Sequence, residues 1–248
     1  MNRILFSSAE ISGGRAVVSD ERAAHILEFL HGEVGQTVKT GELDGKIGTG
    51  RIVAIDGGAV TLELSHEQSS LQPWVDLVLA PPRPRAFKRM LPQLAQMGVG
   101  RIFLVGAKKV EKDFWGATIL KKENYLPVLI EGLMQAGTTP VPVIETRRNF
   151  RKFVQEELDS LCPSPWRVVA HPYPPRDGAA GGGTGVPSSA EGARLVLAVG
   201  PEGGWTDEEV ELMESHGFLR FSLGGRILRT DTAVVALLAR LSPEIDAP

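Results

Sequence analysis

Leu195-Val196-Leu197-Ala198-Val199 runs directly into Gly200-Pro201-Glu202-Gly203-Gly204, and this junction decides how the rest of the chain is read. Five apolar residues ending in a glycine turn spell a strand buried on both faces, the pattern of a parallel strand inside an α/β sheet. A helix is expected next. Thr206 as N-cap with Glu209 three residues on makes a capping box, Val210 and Met213 give an apolar face, and Gly217 ends the helix. The unit then repeats: a short strand over 219–223, a second glycine turn at Gly224-Gly225, the segment Arg226-Ile227-Leu228-Arg229-Thr230, and a last helix over 231–241 stopped by Ser242-Pro243. Both glycine loops leave the carboxyl ends of consecutive strands, the edge along which parallel sheets bind ligands. Right-handed crossovers bring them to one side. A site built from residues 200–204 and 222–232 is therefore expected from pattern alone.

Upstream, strands over 75–80, 101–105 and Arg167–Ala170 alternate with helices over 86–97 and 120–135, so the parallel sheet extends back to about residue 73. Residues 173–193 are rich in Pro, Gly, Ala and Ser without apolar period and read as a flexible surface insertion. Residues 1–70 differ. Short runs at Arg15–Val18, 37–39, 51–55 and 59–64 are separated by glycines, with one helical stretch over 21–30, which suits a small β-barrel. The expected organisation is an N-terminal β-barrel over 1–70 and an α/β domain over 73–248.

Composition bounds the function. The chain has 248 residues, 42% hydrophobic and 23% charged, the balance of an ordinary globular protein. Its apolar runs fall well short of the roughly 20 residues a membrane span needs. The N-terminus turns polar at Ser7, unlike a signal peptide, and a cytoplasmic protein without membrane contact is expected. Cys162 stands alone and reads as a packing residue; no His, Asp or Cys set has metal-ligand spacing, so no metal is expected. A net charge of −3 excludes a protein that coats nucleic acid by charge alone. Any RNA contact needs local clusters, of which Arg83, Arg85, Lys88, Arg89, Lys108, Lys109 and Lys112 form one.

The loops narrow the chemistry. A phosphate cradle needs free backbone N–H donors and no nearby anion. Pro201 removes a donor and Glu202 adds a carboxylate, which argues against a dinucleotide or ATP loop. A neutral or cationic ligand held by main chain fits better, with Ile227 and Leu228 against an aromatic ring and Arg226 and Arg229 facing an anion. The plainer alternative makes Glu202 a solvated loop residue and Ile227-Leu228 ordinary core.

Leu197 to Gly204, followed by Leu223-Gly224-Gly225-Arg226-Ile227-Leu228-Arg229-Thr230-Asp231-Thr232-Ala233, closely resembles the signature of the RsmE family. These are bacterial methyltransferases of the SPOUT superfamily that modify N3 of a uridine in 16S ribosomal RNA. The two motifs are long and correctly separated. The resemblance covers the rest more loosely, the region around Ala24-His25-Ile26 looking like the family's PUA-like barrel. It implies a trefoil-knotted C-terminal domain and a homodimer with its active site near the subunit interface. It also implies S-adenosylmethionine held by Ala170, His171, Pro172, Val199, Gly200, Glu202, Gly203, Ser222, Leu223, Gly224, Ile227, Leu228 and Thr232. Arg229 is the candidate for stabilising charge on the uridine or for holding its phosphate. Glu202 is the weaker catalytic candidate, as a base or as a residue that orients an arginine. Arg226 joins the basic cluster as an RNA contact. Ribosomal RNA or the small subunit is the implied partner.

The chain departs from the family pattern at Phe29-Leu30-His31, Gln96-Met97-Gly98-Val99 and Met134-Gln135-Ala136-Gly137-Thr138, and each exchange removes a charged group, two of them arginines. This keeps two alternatives in view: a SPOUT methyltransferase acting on another RNA, and a non-catalytic RNA-binding or assembly protein of the same fold. His25, inside an apolar helical stretch, reads as a packed histidine.

Overall fold

The computed structural model describes residues 2–172 and 193–242. Nearly all of the insertion expected over 173–193 lies outside the described residues. The chain divides into two units, one of Met1–Gln72 with Pro127–Val141, the other of Pro73–Leu126 with Pro142–Pro248.

The first unit holds a five-stranded sheet of β1 (Ile4–Phe6), β2 (Arg15–Val18), β3 (Thr37–Glu42), β4 (Ile47–Asp56) and β5 (Ala59–Gln68), in the order β1-β3-β4-β5-β2. β1 lies parallel to β3; every other pair is antiparallel. The β4–β5 hairpin turns on Gly57 and Gly58, whose φ of 55° and 86° only glycine adopts without strain. Ile4, Phe6, Ile26, Ile52, Val60 and Leu62 fill the core. A short helix, α1 (Glu21–Ala24), capped by Asp20, widens into a π turn over His25–Phe29. His25 stacks on Phe29 at 5.5 Å. The segment 127–141 joins this unit through main chain: Met134 O accepts from Asn2 and Arg3 N–H at 3.0 and 3.1 Å, and the Arg3 guanidinium donates to the Gly137, Thr40 and Gly48 carbonyls. A single cut near residue 70 does not include this return.

The second unit is built on a fully parallel six-stranded sheet. Its strands are β6 (Val75–Leu79), β7 (Val99–Val105), β8 (Val143–Arg147), β9 (Arg167–Ala170), β10 (Leu195–Val199) and β11 (Leu219–Phe221), in the order β11-β9-β10-β6-β7-β8. The opening strand of the sequence argument, β10, sits between β9 and β6 with all five residues buried. The helices are α2 (Pro84–Gln96), α3 (Lys122–Ala136, leaving the unit at Pro127), α4 (Phe150–Lys152), α5 (Leu158–Leu161), α6 (Asp207–Glu214) and α7 (Thr230–Leu241). Val78, Phe103, Phe153, Val196, Trp205 and Met213 belong to one apolar core. Asp76 on β6 is buried and paired with Arg101 and Arg194 at 2.5 and 3.2 Å. Beside it burial pushes the Cys162 thiol up to about 11, so the lone cysteine is a packed, protonated group. α7 packs back against α2, and Arg89 on α2 pairs with Asp231 at 3.0 Å.

Candidate active site

A cavity of about 510 Å³ opens at the carboxyl ends of β9, β10 and β11. Ala170, His171 and Pro172 enter it from β9, Val199 to Gly204 from β10, and Ser222, Leu223 and Gly224 from β11; Ile227 and Leu228 lie in the segment that follows. Of the residues expected around a cofactor, only Thr232 does not line it. Thr232 is exposed on the first turn of α7, and its N–H donates to Asp231 Oδ1 at 3.0 Å. Glu202 lines the cavity and Arg229 does not, although its neighbours Leu228 and Thr230 do. Arg226, expected at RNA, lines it as well. Arg83 and Arg89 are drawn into ion pairs with Glu111 and Asp231, and Lys108 faces Glu208 at 3.7 Å. Arg85 and Lys88 make no ion pair among the described residues.

The first glycine loop is locked by protein. Gly204 N–H donates to Pro201 O at 2.8 Å, closing a turn that holds Gly204 at φ 66°. Gly200 is tightly placed: a Cβ there would lie 3.0 Å from Trp205 N and 3.2 Å from Gly204 Cα, so adjacent main chain would have to give by a few tenths of an ångström. Lys109 Nζ donates to Gly203 O at 2.8 Å and reaches Trp205 O at 3.5 Å. Glu202 Oε1 accepts the Arg83 N–H at 3.0 Å, at the start of α2, where Pro84 follows and no side chain caps the helix from within. The carboxylate that looked like a candidate base thus ties the loop to a helix N-terminus. Beyond the loop, Thr206 and Glu209 form the expected capping box of α6.

The second glycine loop is left open. Gly224, at φ 104°, donates to Ser222 Oγ at 3.2 Å and its carbonyl accepts from the same hydroxyl at 3.4 Å; from Leu223 to Leu228 no other backbone group is hydrogen-bonded among the described residues. Every residue from Leu223 to Arg229 is exposed, Ile227 at 96%. Two polar atoms of residues that line the cavity, His171 Nδ1 and Trp205 Nε1, are shielded from solvent and have no partner among the described residues. Burial, followed by the Arg220 cation, holds the His171 imidazole below its ordinary pKa, favouring the neutral ring. Arg229 is the N-cap of α7; its guanidinium makes no hydrogen bond among the described residues, and its charge helps lower the Asp231 carboxylate after Arg89 and the Thr232 N–H.

Reasoning from sequence missed Lys109, Trp205, Asp207 and Phe221 and, beyond Thr230 in the expected loop, Ala233 and Leu237, all of which line the cavity. Ala233 and Leu237 had a signal, since with Thr230 they stand at i, i+3 and i+7 and share one helix face. Lys109 had none, because it reaches the loop from the end of another strand. Among the described residues no cluster of His, Cys, Asp and Glu is arranged for a metal.

Residues 69–242 match the RNA methyltransferase domain family. The ribosomal RNA small subunit methyltransferase E of Treponema pallidum is 32% identical over 244 residues, spanning 96% of this chain and 90% of that protein. The chain belongs to the RsmE family. Two solved structures share the fold over 97% of this RsmE chain and 96% of their own. One is a ribosomal RNA small subunit methyltransferase E from Neisseria gonorrhoeae bound to S-adenosyl methionine, with a TM-score of 0.72 at 21% identity. The other is a methyltransferase from Legionella pneumophila in complex with the cofactor SAM, with a TM-score of 0.70 at 24% identity. At two of the places where this RsmE chain departs from the family pattern, main chain carries the contacts: Met97 O accepts from Trp74 Nε1 at 2.7 Å, and Met134 O from Asn2 and Arg3.

Proposed function

We propose that this RsmE-family enzyme transfers a methyl group from S-adenosylmethionine to N3 of a uridine in 16S ribosomal RNA. The observation that carries the reading is the cavity itself, one wall fixed by protein contacts and the other offering unpaired backbone groups. Its volume lies within the ~300–1,000 Å³ usual for small-molecule sites. Its lining suits the cofactor: glycine at 200 avoids a tight Cβ contact with main chain, and the loop it opens leaves backbone facing the cavity. Open backbone from Leu223 to Leu228 can meet the polar edge of an adenine, and Leu223, Leu228 and Leu237 its faces.

Bound there, S-adenosylmethionine supplies an electrophilic methyl group. The chain's own residues must do the rest. Uridine N3 carries a proton at neutral pH, so transfer needs that proton given up, to water or a base, and the charge left on O2 or O4 stabilised. Arg229 takes the second role, its guanidinium unclaimed by any hydrogen bond among the described residues. Glu202 acts by position, holding the Gly200–Gly204 loop against the start of α2. Lys109 holds the same loop from the other side. Arg226 at the cavity and Arg85 and Lys88 on α2 serve as RNA contacts.

The family's finer architecture belongs to the same proposal. A knot in the second unit is supported by α7 returning to pack on α2 after β11 has been laid at the far edge of the sheet. A PUA-like role for the first unit is supported by its separate, mostly antiparallel sheet. A homodimer is supported by the exposed apolar side chains of Leu223, Ile227 and Leu228 around the site. No described helix is long and apolar enough to cross a membrane; methylation of ribosomal RNA would place the protein in the cytoplasm.

The test is methyl transfer from labelled S-adenosylmethionine to small subunits or their RNA from a strain lacking this protein, followed by nucleoside analysis. Label in 3-methyluridine is the expected result. Label in another nucleoside would replace the target, and cofactor binding without transfer to any RNA would overturn the reading.

A further inference from the structure

A second cavity, of about 490 Å³, opens on the same sheet edge at the carboxyl ends of β7 and β8. Gly106 follows β7, Arg148 follows β8, and Arg151 and the start of α6 complete the wall. The turn after β7 runs between the two cavities: Lys108 lines this one and Lys109 lines the first. We infer that this second cavity is a docking groove for the RNA strand flanking the target nucleotide, in which Arg148 and Arg151 take backbone phosphate and the Arg148–Trp115 stack receives a base. The inference rests on RNA being the substrate of the first cavity.

Charge favours it. On the α6 side the carboxylates are already engaged. Glu209 accepts from Lys108 N–H and Thr206 N–H at 2.8 and 2.9 Å, and Glu208 faces Lys108 Nζ. On the β8 side Arg151 makes no hydrogen bond or ion pair among the described residues. Arg148 is occupied only by Trp115, lying 5.5 Å from its ring and donating to its carbonyl at 3.5 Å. An aromatic ring beneath a guanidinium fixes its plane, leaving its N–H edge for phosphate and its outer face for a base.

The arginine-bearing turn is also rigid. A Cβ on Gly106 would stand 2.0 Å from Arg148 O, so these two stretches of main chain are pressed together, and Asn149 caps the next turn by accepting the Lys152 N–H at 3.0 Å. The first unit supplies few cations. Residues 2–72 carry six Lys and Arg against ten Asp and Glu, so the first unit offers little attraction to phosphate. Arg83 and Arg89 are held in ion pairs.

The experiment compares the full-length protein with Arg151→Gln, Arg148→Gln and the double variant in binding to small-subunit RNA across a salt series. S-adenosylmethionine affinity is measured beside it by calorimetry. Arg151→Gln removes no hydrogen bond or ion pair within the described residues and guards against a folding artefact. The double variant is expected to bind RNA at least about tenfold more weakly and to lower the slope of log K against log salt by about one for each phosphate no longer held, with cofactor affinity unchanged. A double variant with wild-type affinity and slope, while the wild type binds and methylates RNA, overturns the groove alone. A wild type that neither binds nor methylates RNA overturns the groove together with the substrate reading.

Discussion

Two glycine loops face each other across the cavity and are built on opposite terms. Gly200–Gly204 is held by Lys109, by Glu202 on the Arg83 N–H and by its own turn, and a side chain at 200 would press on its main chain. The loop from Ser222 to Arg229 is bonded internally only between Ser222 and Gly224 among the described residues, and it exposes apolar side chains to solvent. A site that must recognise a ligand by main chain needs a fixed wall, so that donors and acceptors are in place before binding. It also needs main chain whose own hydrogen bonds are not already satisfied.

The largest break in that contrast is expected from Arg229→Ala at the end of the open loop. Single-turnover transfer should fall on the order of 10²–10³-fold, the usual cost of losing one group that stabilises developing charge. Calorimetric affinity for S-adenosylmethionine should stay within a few-fold. Loss of cofactor binding instead would move Arg229 into the binding site. Next comes a matched pair of alanines. Gly200→Ala pushes a Cβ against main chain and should weaken cofactor binding by at least about tenfold. Gly225→Ala, with nothing within 4 Å, should change it by less than about twofold. Equal effects would erase the distinction between a locked and an open loop.

Lys109→Met should raise the KM for S-adenosylmethionine several-fold with a smaller change in kcat, and Lys109→Arg should recover part of the affinity. A fall in kcat alone would mean that the ammonium acts on the reaction and not on the loop. The smallest effect concerns pH. The folded His171 pKa lies below its ordinary value of about 6.5, so the unfolded chain binds more protons as pH drops. Stability from this group is therefore full above about pH 6.5 and is lost as pH falls from there toward the folded value. His171→Gln should flatten that stretch of a thermal-melting profile, and an unchanged profile would show that this half-buried ring is not what titrates.

Much of this is legible in the order of residues. The bounds of β9 and β10 and the capping box of α6 follow from apolar runs and hydroxyl–carboxylate spacing, signals that lie within a few consecutive residues. β8 escapes such a reading because Val143–Arg147 is an edge strand with only two apolar residues and no clean alternation. The helical stretch around Phe153–Glu157 escapes it because a π turn interrupts its period. Thr232 is expected at the cofactor because it lies within the motif, yet one residue along a helix is about 100° of rotation, and the wall is made by Thr230, Ala233 and Leu237.

By itself, then, the sequence determined the parallel sheet of the second unit, the two loops on one edge and the family to which they belong, because local periodicity and contiguous motifs carry those facts. Only the tertiary structure decided which groups meet. It returned residues 127–141 to the first unit, brought Lys109 to Gly203 across 94 positions, turned Glu202 to a helix start and set Arg148 beside Gly106. Such pairings depend on strand order and close approach of main chain, which no spacing within a single segment encodes.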